Sequence, residues 1–413
     1  MNTKLRADAD KIIAGAINAV KPDEAVRRAL ANITFDKKVY IVSTGKAGWQ
    51  MAKAAADCLG GMGQAYEAGV VVTKYDHVMG NIPKMTCFEA GHPVPDENSF
   101  KGTRAALDMA DKLTEDDMVL FLLSGGGSAL FEDPLITGEE LADITSQLLA
   151  SGADITEMNT IRKRLSGVKG GKFALRCAPA KVETVVLSDI VGDPLDMIAS
   201  GPAYPDSSSS EDAKRIVSKY GIRLSEKAAG LLEEETPKDL LNVNTQVIGS
   251  VRELCRAAAA ECEKLGYEAH IISDSIEVEA REAGNILANE ALSHVSNWTK
   301  IAIIAGGETV VHLTGHGKGG RNQELAFSAM KNIAGQKDMA VFSVGSDGTD
   351  GPTDAAGGYV DGDSFEALVE AGLNYDEILA DNDAYNGLKA IDGLIFTGPT
   401  GTNVNDFFVA LIG

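Results

Sequence analysis

Short apolar runs punctuate the chain, and each ends in glycine, serine or aspartate. Val39 to Val42 leads into Ser43-Thr44-Gly45-Lys46, and Val119 to Leu123 leads into Ser124-Gly125-Gly126-Gly127-Ser128. The same holds from Thr184 into Ser188-Asp189, from Ile301 into Gly306-Gly307-Glu308, and from Val341 into Gly345-Ser346-Asp347. These runs are β-branched and nearly uninterrupted, the pattern of strands buried on both faces of a parallel sheet. Helical periods lie between them. Leu141, Ile144, Leu148 and Leu149 share one stripe, with Thr137 and Glu140 spaced ahead of it as a capping box. Ser99 is placed to cap a helix running through Ala105, Met109 and Leu113.

Strands alternating with helices predict an α/β protein built on a doubly wound parallel sheet. In such sheets ligands bind beyond the carboxyl ends of the strands, where the Gly/Ser/Asp loops fall here. A length of 413 residues suggests two domains. The acidic stretch Glu233-Glu234-Glu235-Thr236-Pro237-Lys238-Asp239 reads as the linker, so domains are expected at 1–238 and 239–413. The serine run 207–210 reads as a surface loop.

Charge changes the picture. With 38 Lys and Arg against 60 Asp and Glu, the net charge is −22. That balance opposes nucleic-acid binding. An acidic chain that holds an anionic ligand must gather positive charge locally, so basic residues inside glycine-rich loops become informative. The five cysteines form no C-x-x-C pair and read as small buried hydrophobes. The N-terminal stretch is mixed in charge, and no apolar run approaches the roughly 20 residues a membrane span needs. No membrane association is expected, and cytoplasm is the expected location.

Several stretches could carry chemistry, among them the Gly345 to Asp354 loop, which reads as a metal or nucleotide loop, and residues 381–385 and 397–406, which also read as turns. Ser43-Thr44-Gly45-Lys46-Ala47-Gly48 joins a strand to the helical stretch from Trp49 to Leu59, so its amides and Lys46 suit an anion, or it is a plain turn. Ser124 to Ser128, with Gly125, Gly126 and Gly127 between them, lets backbone amides approach a carboxylate or phosphate. Asn159 to Lys172 concentrates Arg162, Lys163, Arg164, Lys169 and Lys172 before and after glycines, either a solvated helix face or a phosphate loop. Asp189 and Asp193 sit at a strand end, able to hold Mg²⁺ or accept a hydroxyl proton, or to serve as cap and turn residues. Gly315-His316-Gly317-Lys318-Gly319-Gly320 formally matches G-x-G-x-x-G, which a dinucleotide site or a phosphate-covering loop would explain, with Arg321 opening the helix that follows. Walker A, H-R-D and G-x-S-x-G sequences are absent, and the six histidines show no metal spacing.

Taken in order along nearly the whole chain, these loops resemble the class II glycerate kinases, the glycerate 2-kinases with a MOFRL-type C-terminal domain. The resemblance also rests on Gly91-His92-Pro93-Val94-Pro95, Ser200-Gly201-Pro202, Gly319-Gly320-Arg321-Asn322-Gln323-Glu324, the loop from Gly345 to Gly351 and the tail from Thr397 to Asp406. It implies a Rossmann-like N-terminal domain, a smaller α/β C-terminal domain with a mixed sheet, and a site in the cleft between them. It implies transfer of the γ-phosphoryl group of ATP to the 2-hydroxyl of D-glycerate, by a monomer or homodimer. Lys46 and Arg321 carry over as the catalytic cations, with Asp189 as orienter or base. Thr44, Gly45, the 124–128 loop, Asn159, Arg162, Lys169, Gly319, Gly320 and Asn322 are the expected substrate and phosphate contacts. Asp193, Glu308 and Asp347 are the expected Mg²⁺ carboxylates. Two other readings stay open: an NAD(P)-dependent hydroxypyruvate reductase, favoured by the Gly315 to Gly320 match, and a nucleotide- or sugar-acid-binding protein without catalysis.

Overall fold

The computed structural model describes residues 1–188, 190–295 and 299–413. Twelve strands are found among them. They are β1 Lys38–Thr44, β2 Tyr66–Lys74, β3 Met85–Ala90, β4 Asp117–Ser124, β5 Lys181–Leu187, β6 Val243–Gly249, β7 Glu268–Ile276, β8 Ile301–Gly307, β9 Met339–Gly345, β10 Gly357–Asp361, β11 Leu394–Ile395 and β12 Asp406–Ile412. The first six form one sheet in the order β3-β2-β1-β4-β5-β6, and the others a second sheet in the order β11-β10-β9-β12-β8-β7. In the first sheet β1 to β5 pair in parallel. In the second, only β7 and β8 pair in parallel, because β12 enters antiparallel between β8 and β9. The chain is thus α/β with one parallel and one mixed sheet, as expected.

All five apolar runs are strands. β4, β8, β9 and β12 are buried along their whole length, which is why their sequences show no alternation. Thr137 does cap the helix Gly138–Ala150, accepting from the Glu140 amide at 3.2 Å. The Glu140 side chain, however, reaches out to the Ser225 amide at 3.2 Å instead of closing the box. Leu149 faces solvent, so the buried stripe is Leu141, Ile144 and Leu148. Ser99 lies one turn inside its helix. Asp96 is the N-cap of Glu97–Ala110, and Ser99 completes a capping box with it.

The chain divides into two compact units. One holds Ala25–Ser188 and Asp193–Ile248; the other holds Met1–Glu24 and Gly249–Gly413, with a short stretch ending at Gly192. This differs from the boundary expected after residue 238. The acidic stretch is stitched into the first unit, Thr236 donating to Asp206 at 2.7 Å and Glu235 pairing with Arg164 at 3.5 Å. The chain then continues into β6, which lies beside β5. The N-terminal helix Thr3–Ala19 packs instead on the helix Val251–Lys264 of the second unit. Among the described residues no helix is long and apolar enough to cross a membrane.

The basic stretch after Asn159 is neither a solvated face nor a glycine-bounded phosphate loop. Its helix is Ile155–Leu165, and Lys163, Arg164 and Lys169 are buried. Lys163 pairs with Asp206 at 2.9 Å, and Arg164 lies 3.8 Å from the same carboxylate. Lys172 donates to the carbonyls of Lys163, Arg164 and Ser166, closing the C-terminus of that helix. Gly170 and Gly171 donate to the carbonyls of Ser200 and Gly201. Removing one carboxylate from such a cluster strands buried cations. Asp206→Ala is expected to lower the unfolding free energy by about 3–5 kcal/mol. A urea midpoint equal to wild type would show that the cluster contributes nothing.

Candidate functional site

In the first sheet the chain runs outward through β1, β2 and β3 and returns to place β4 on the other side of β1. That reversal is where open α/β sheets bind ligands. Both serine-glycine loops sit there, at the ends of β1 and β4, and they are knit together. The Lys46 amide donates to the Gly125 carbonyl at 2.8 Å, and the Ala47 amide to Ser124 Oγ at 3.1 Å. Ser124 Oγ donates in turn to the Thr44 carbonyl at 3.3 Å. The Gly45 amide is taken by the Val72 carbonyl and the Gly48 amide by the Gly45 carbonyl. The amides of the first loop are therefore satisfied internally, contrary to the expectation that they face an anion. Thr44 is buried, with an unpartnered Oγ1, and Ser124 is a cross-brace.

What the first loop presents is the Lys46 side chain. Its ammonium has no hydrogen-bond or ion-pair partner among the described residues. Its stem passes over Gly126, where an added Cβ would stand 3.2 Å from Lys46 Cγ and 3.0 Å from the His92 ring. His77 Nδ1 donates to the Lys46 carbonyl at 2.9 Å and steadies the turn. Burial, then the charges of Lys46, Lys74 and His77, hold the His92 imidazole below its ordinary pKa and so neutral at pH 7. The amides of Gly126 and Gly127 have no partner among the described residues. A free ammonium beside free amides is a site for an anionic oxygen.

Beside this loop, Ser200 Oγ donates to Asn159 Oδ1 at 2.9 Å and so accepts from Ser128 Oγ at 3.0 Å. Arg162 donates to the Ser128 carbonyl at 3.1 Å and leaves a buried Nε without a partner. Asp193, Ala199 and Ser200 all have left-handed backbones, φ 51°, 51° and 61°. Such strain in non-glycine residues tends to gather where a ligand is held. Asp193 Oδ1 is buried without a partner. Lys169, expected among the phosphate contacts, is instead fully buried against Glu132 at 2.7 Å. Burial pulls its pKa down to about 8, and the Glu132 carboxylate opposes that fall. Asp189 lies outside the described residues.

In the second unit the glycine-rich loop is explained by its neighbour. The amides of Gly315, His316, Gly317 and Lys318 donate to Asn382 Oδ1, Asp381 Oδ1, the Asp381 carbonyl and Asp383 Oδ1, at 2.8–3.0 Å. A Cβ on Gly315 would stand 2.3 Å from Asp381 Cα, so the glycines admit a close backbone approach. This corrects the phosphate-covering reading for residues 315–318. The dinucleotide reading also fails, because the loop begins well beyond β8 and β12 separates β8 from β9. Only the Gly319 and Gly320 amides remain without partners among the described residues.

Arg321 opens the helix Arg321–Ala329. It bonds both carboxylate oxygens of Asp406, at 2.5 and 3.2 Å, and Glu308 at 3.1 Å. Burial works against its charge, but the hydrogen bonds and charge of Asp406, with Glu308 and Asp350, raise its pKa further and keep it a cation. The helix amides of Asn322 and Gln323 are capped by Asp350 at 3.1 and 2.8 Å. Asn322 is buried, accepting from Ser343 Oγ at 2.5 Å, so it positions rather than faces a ligand. Glu308 is half-exposed on Arg321, while Asp347 accepts from the Thr349 amide at 2.9 Å. No group of three or more His, Cys, Asp or Glu among the described residues is arranged to hold a metal ion. Residue-by-residue reading missed Asp350, Asp406, His92 and Ser200. Each lay inside a motif, but the partner that reveals its part is remote in sequence.

Fold and loops together define a two-unit α/β enzyme with anion-binding loops at strand ends. Residues 8–233 match a domain of unknown function, DUF4147, and residues 301–406 match the MOFRL family. The chain is 51% identical to a D-glycerate 2-kinase of Thermotoga maritima over 99% of this chain and 98% of that protein. A crystal structure of a glycerate kinase from that organism superposes with a TM-score of 0.94 at 50% identity, covering all of both chains. A putative hydroxypyruvate reductase of Agrobacterium vitis is 38% identical over 98% of this chain and 93% of that protein. The chain belongs to the DUF4147–MOFRL family of glycerate kinases.

Burial pushes the Asp350 carboxyl up to about 6, against the pull of the Gln323 and Asn322 amides and with the Asp406 charge adding to the rise. A carboxyl raised in the folded state contributes stability that is complete below its unfolded pKa, near 4, and is lost as pH rises through 6. Relative to Asp350→Asn, wild type should gain about 2–3 kcal/mol of unfolding free energy between pH 7.5 and pH 3.5. A difference between the two proteins that stays flat with pH would refute the shift.

Proposed function

We infer that the protein is an ATP-dependent kinase that phosphorylates D-glycerate at the 2-hydroxyl, giving 2-phospho-D-glycerate and ADP. The observation that carries this reading is the unpaired Lys46 ammonium beside the open amides of Gly126 and Gly127 at the switch point of the first sheet. In a chain of net charge −22, an ammonium without a counter-ion that stands beside unbonded amides at a strand end is suited to an anion. The similarity to a D-glycerate 2-kinase names the reaction.

Phosphoryl transfer asks a protein chiefly for alignment and charge neutralisation. Lys46 and Arg321 are the cations assigned to the transferring group. Arg321 arrives already oriented by Asp406, and its link to the half-exposed Glu308 is the one a phosphate oxygen would replace. Ser128, held by Ser200 and Arg162, with the Gly126 and Gly127 amides, binds the carboxylate of glycerate. Asp189 is assigned to orient the 2-hydroxyl. Mg²⁺ is ordinarily held by one or two carboxylates together with substrate phosphates, so no three-ligand cluster is required. Asp193, with its unpartnered buried oxygen, and Asp347 fit that demand, and Glu308 becomes free for it once Arg321 is engaged. The ion would supply neutralisation of the polyphosphate charge.

One assay tests the reading: the protein, ATP, Mg²⁺ and D-glycerate, with the product identified by phosphorus NMR. The 2-phosphate and ADP should appear in equal amounts. Lys46→Met and Arg321→Ala should each lower kcat/KM by about 10³-fold or more. NADH oxidation with hydroxypyruvate and no ADP release would replace this function with the reductase, and near-normal turnover by Lys46→Met would remove the lysine from the mechanism.

A further inference from the structure

The second unit contains a cavity of about 640 Å³ whose lining divides into two chemistries. One part is apolar: Val310, Val311 and Leu313. Leu313 is 82% exposed and Val310 49% exposed, although other aliphatic residues nearby in sequence are buried. The other part is polar: Gly319, Gly320 and Arg321 offer two amides without partners and a guanidinium, while of the three carboxylates on the wall Asp350 is held by the Asn322 and Gln323 amides, Glu324 by Arg281 and Asp347 by the Thr349 amide. Asn382 also lines the cavity, but its side chain is fully engaged by Thr314, Gly315, the His312 carbonyl and Glu324. Asn382 therefore fixes the wall rather than reaching into the space.

Exposed aliphatic side chains on a cavity wall favour a ligand that carries an apolar surface. D-glycerate has none. Its three carbons each bear oxygen, and it is far smaller than the space. A nucleoside triphosphate has both halves that the lining asks for, a flat ring system and a polyanionic tail. We propose that this cavity is the nucleotide site, with the base and ribose against Val310, Val311 and Leu313 and the polyphosphate against Gly319, Gly320 and Arg321. This rests on the kinase reading for its substrates and divides them: the nucleotide goes to the second unit's cavity, and the hydroxy acid to the Lys46 and Gly126 loops of the first.

The test uses the neutral changes Leu313→Asn and Val310→Asn in the full chain. Both positions face solvent, so the fold should survive, checked by an unchanged thermal midpoint. Calorimetric titration with AMP-PNP and Mg²⁺ should show affinity weakened at least about tenfold in each variant, from lost apolar contact. Affinity for inorganic triphosphate should stay within about twofold of wild type, because the phosphate end is untouched. KM for ATP should rise with the lost affinity, while KM for D-glycerate stays unchanged. AMP-PNP binding at wild-type strength, equal weakening of triphosphate, or a rise in KM for D-glycerate alone would each overturn the assignment. Wild type that binds AMP-PNP in this Leu313-dependent way but forms no phosphoglycerate would sink the kinase reading and leave the nucleotide cavity standing.

Discussion

A Cβ on Gly45 would stand 2.2 Å from Ser124 Oγ and 2.4 Å from the Ser124 carbonyl, and Gly45 has a φ of +113°. The absence of that one carbon lets the loops after β1 and β4 touch. Once they touch, Ser124 bridges them, the amides of Gly45, Lys46, Ala47 and Gly48 are satisfied, and the turn has a single fixed shape. Lys46 then projects from a braced platform over Gly126. A flexible lysine on a mobile loop would lose much of its binding energy to ordering; one whose backbone is tied on both sides loses less. Gly126 contributes in the same way, leaving room for the lysine stem and the His92 ring.

The two assigned cations solve opposite problems. Lys46 is available because nothing acidic reaches it. Arg321 is surrounded by Asp406, Glu308 and Asp350, whose charges compete with an anion for it. The carboxylates are not equivalent. Asp406 is 3% exposed and grips the guanidinium with both oxygens, whereas Glu308 is 48% exposed and offers one bond. The buried partner fixes direction, and the exposed one occupies a donor that a ligand can claim with little desolvation cost. Three bases of the stretch after Asn159, Lys163, Arg164 and Lys169, are internal struts.

Strands were legible because full burial leaves an unbroken apolar signature, and the helices from Gly48 and Arg321 were legible from their leading glycines. Boundaries were less so. Ser99 sits at the third helical position because Asp96, three residues earlier, has the better geometry to accept two amides. Residues 233–239 look like a linker by composition, yet Thr236 and Glu235 are claimed by Asp206 and Arg164, partners no local pattern announces. The basic run after Asn159 misleads for the same reason: its charges find buried carboxylates far along the chain. Among site residues, Lys46 and Arg321 stood out by charge against an acidic background. Asp350 and Asp406 could not, since acids are common here and only folding selects which ones meet Arg321 and the helix it opens.

Glycine content alone therefore says little about phosphate. Of the three glycine-rich loops, the 43–48 loop has its amides bonded within itself and to its neighbours, and residues 315–318 have theirs bonded to the 381–383 turn. Both needed glycine for close backbone approach. Free amides remain at Gly126 and Gly127, and at Gly319 and Gly320, each pair next to a cation. An unbonded amide that is not fully open to water is costly unless a ligand or solvent meets it. That cost is removed along residues 45–48 and 315–318 and tolerated beside the two cations. The distinction between a glycine that makes room and a glycine that offers its N–H is what narrows three candidate loops to two anion-facing edges, one served by Lys46 and the other by Arg321.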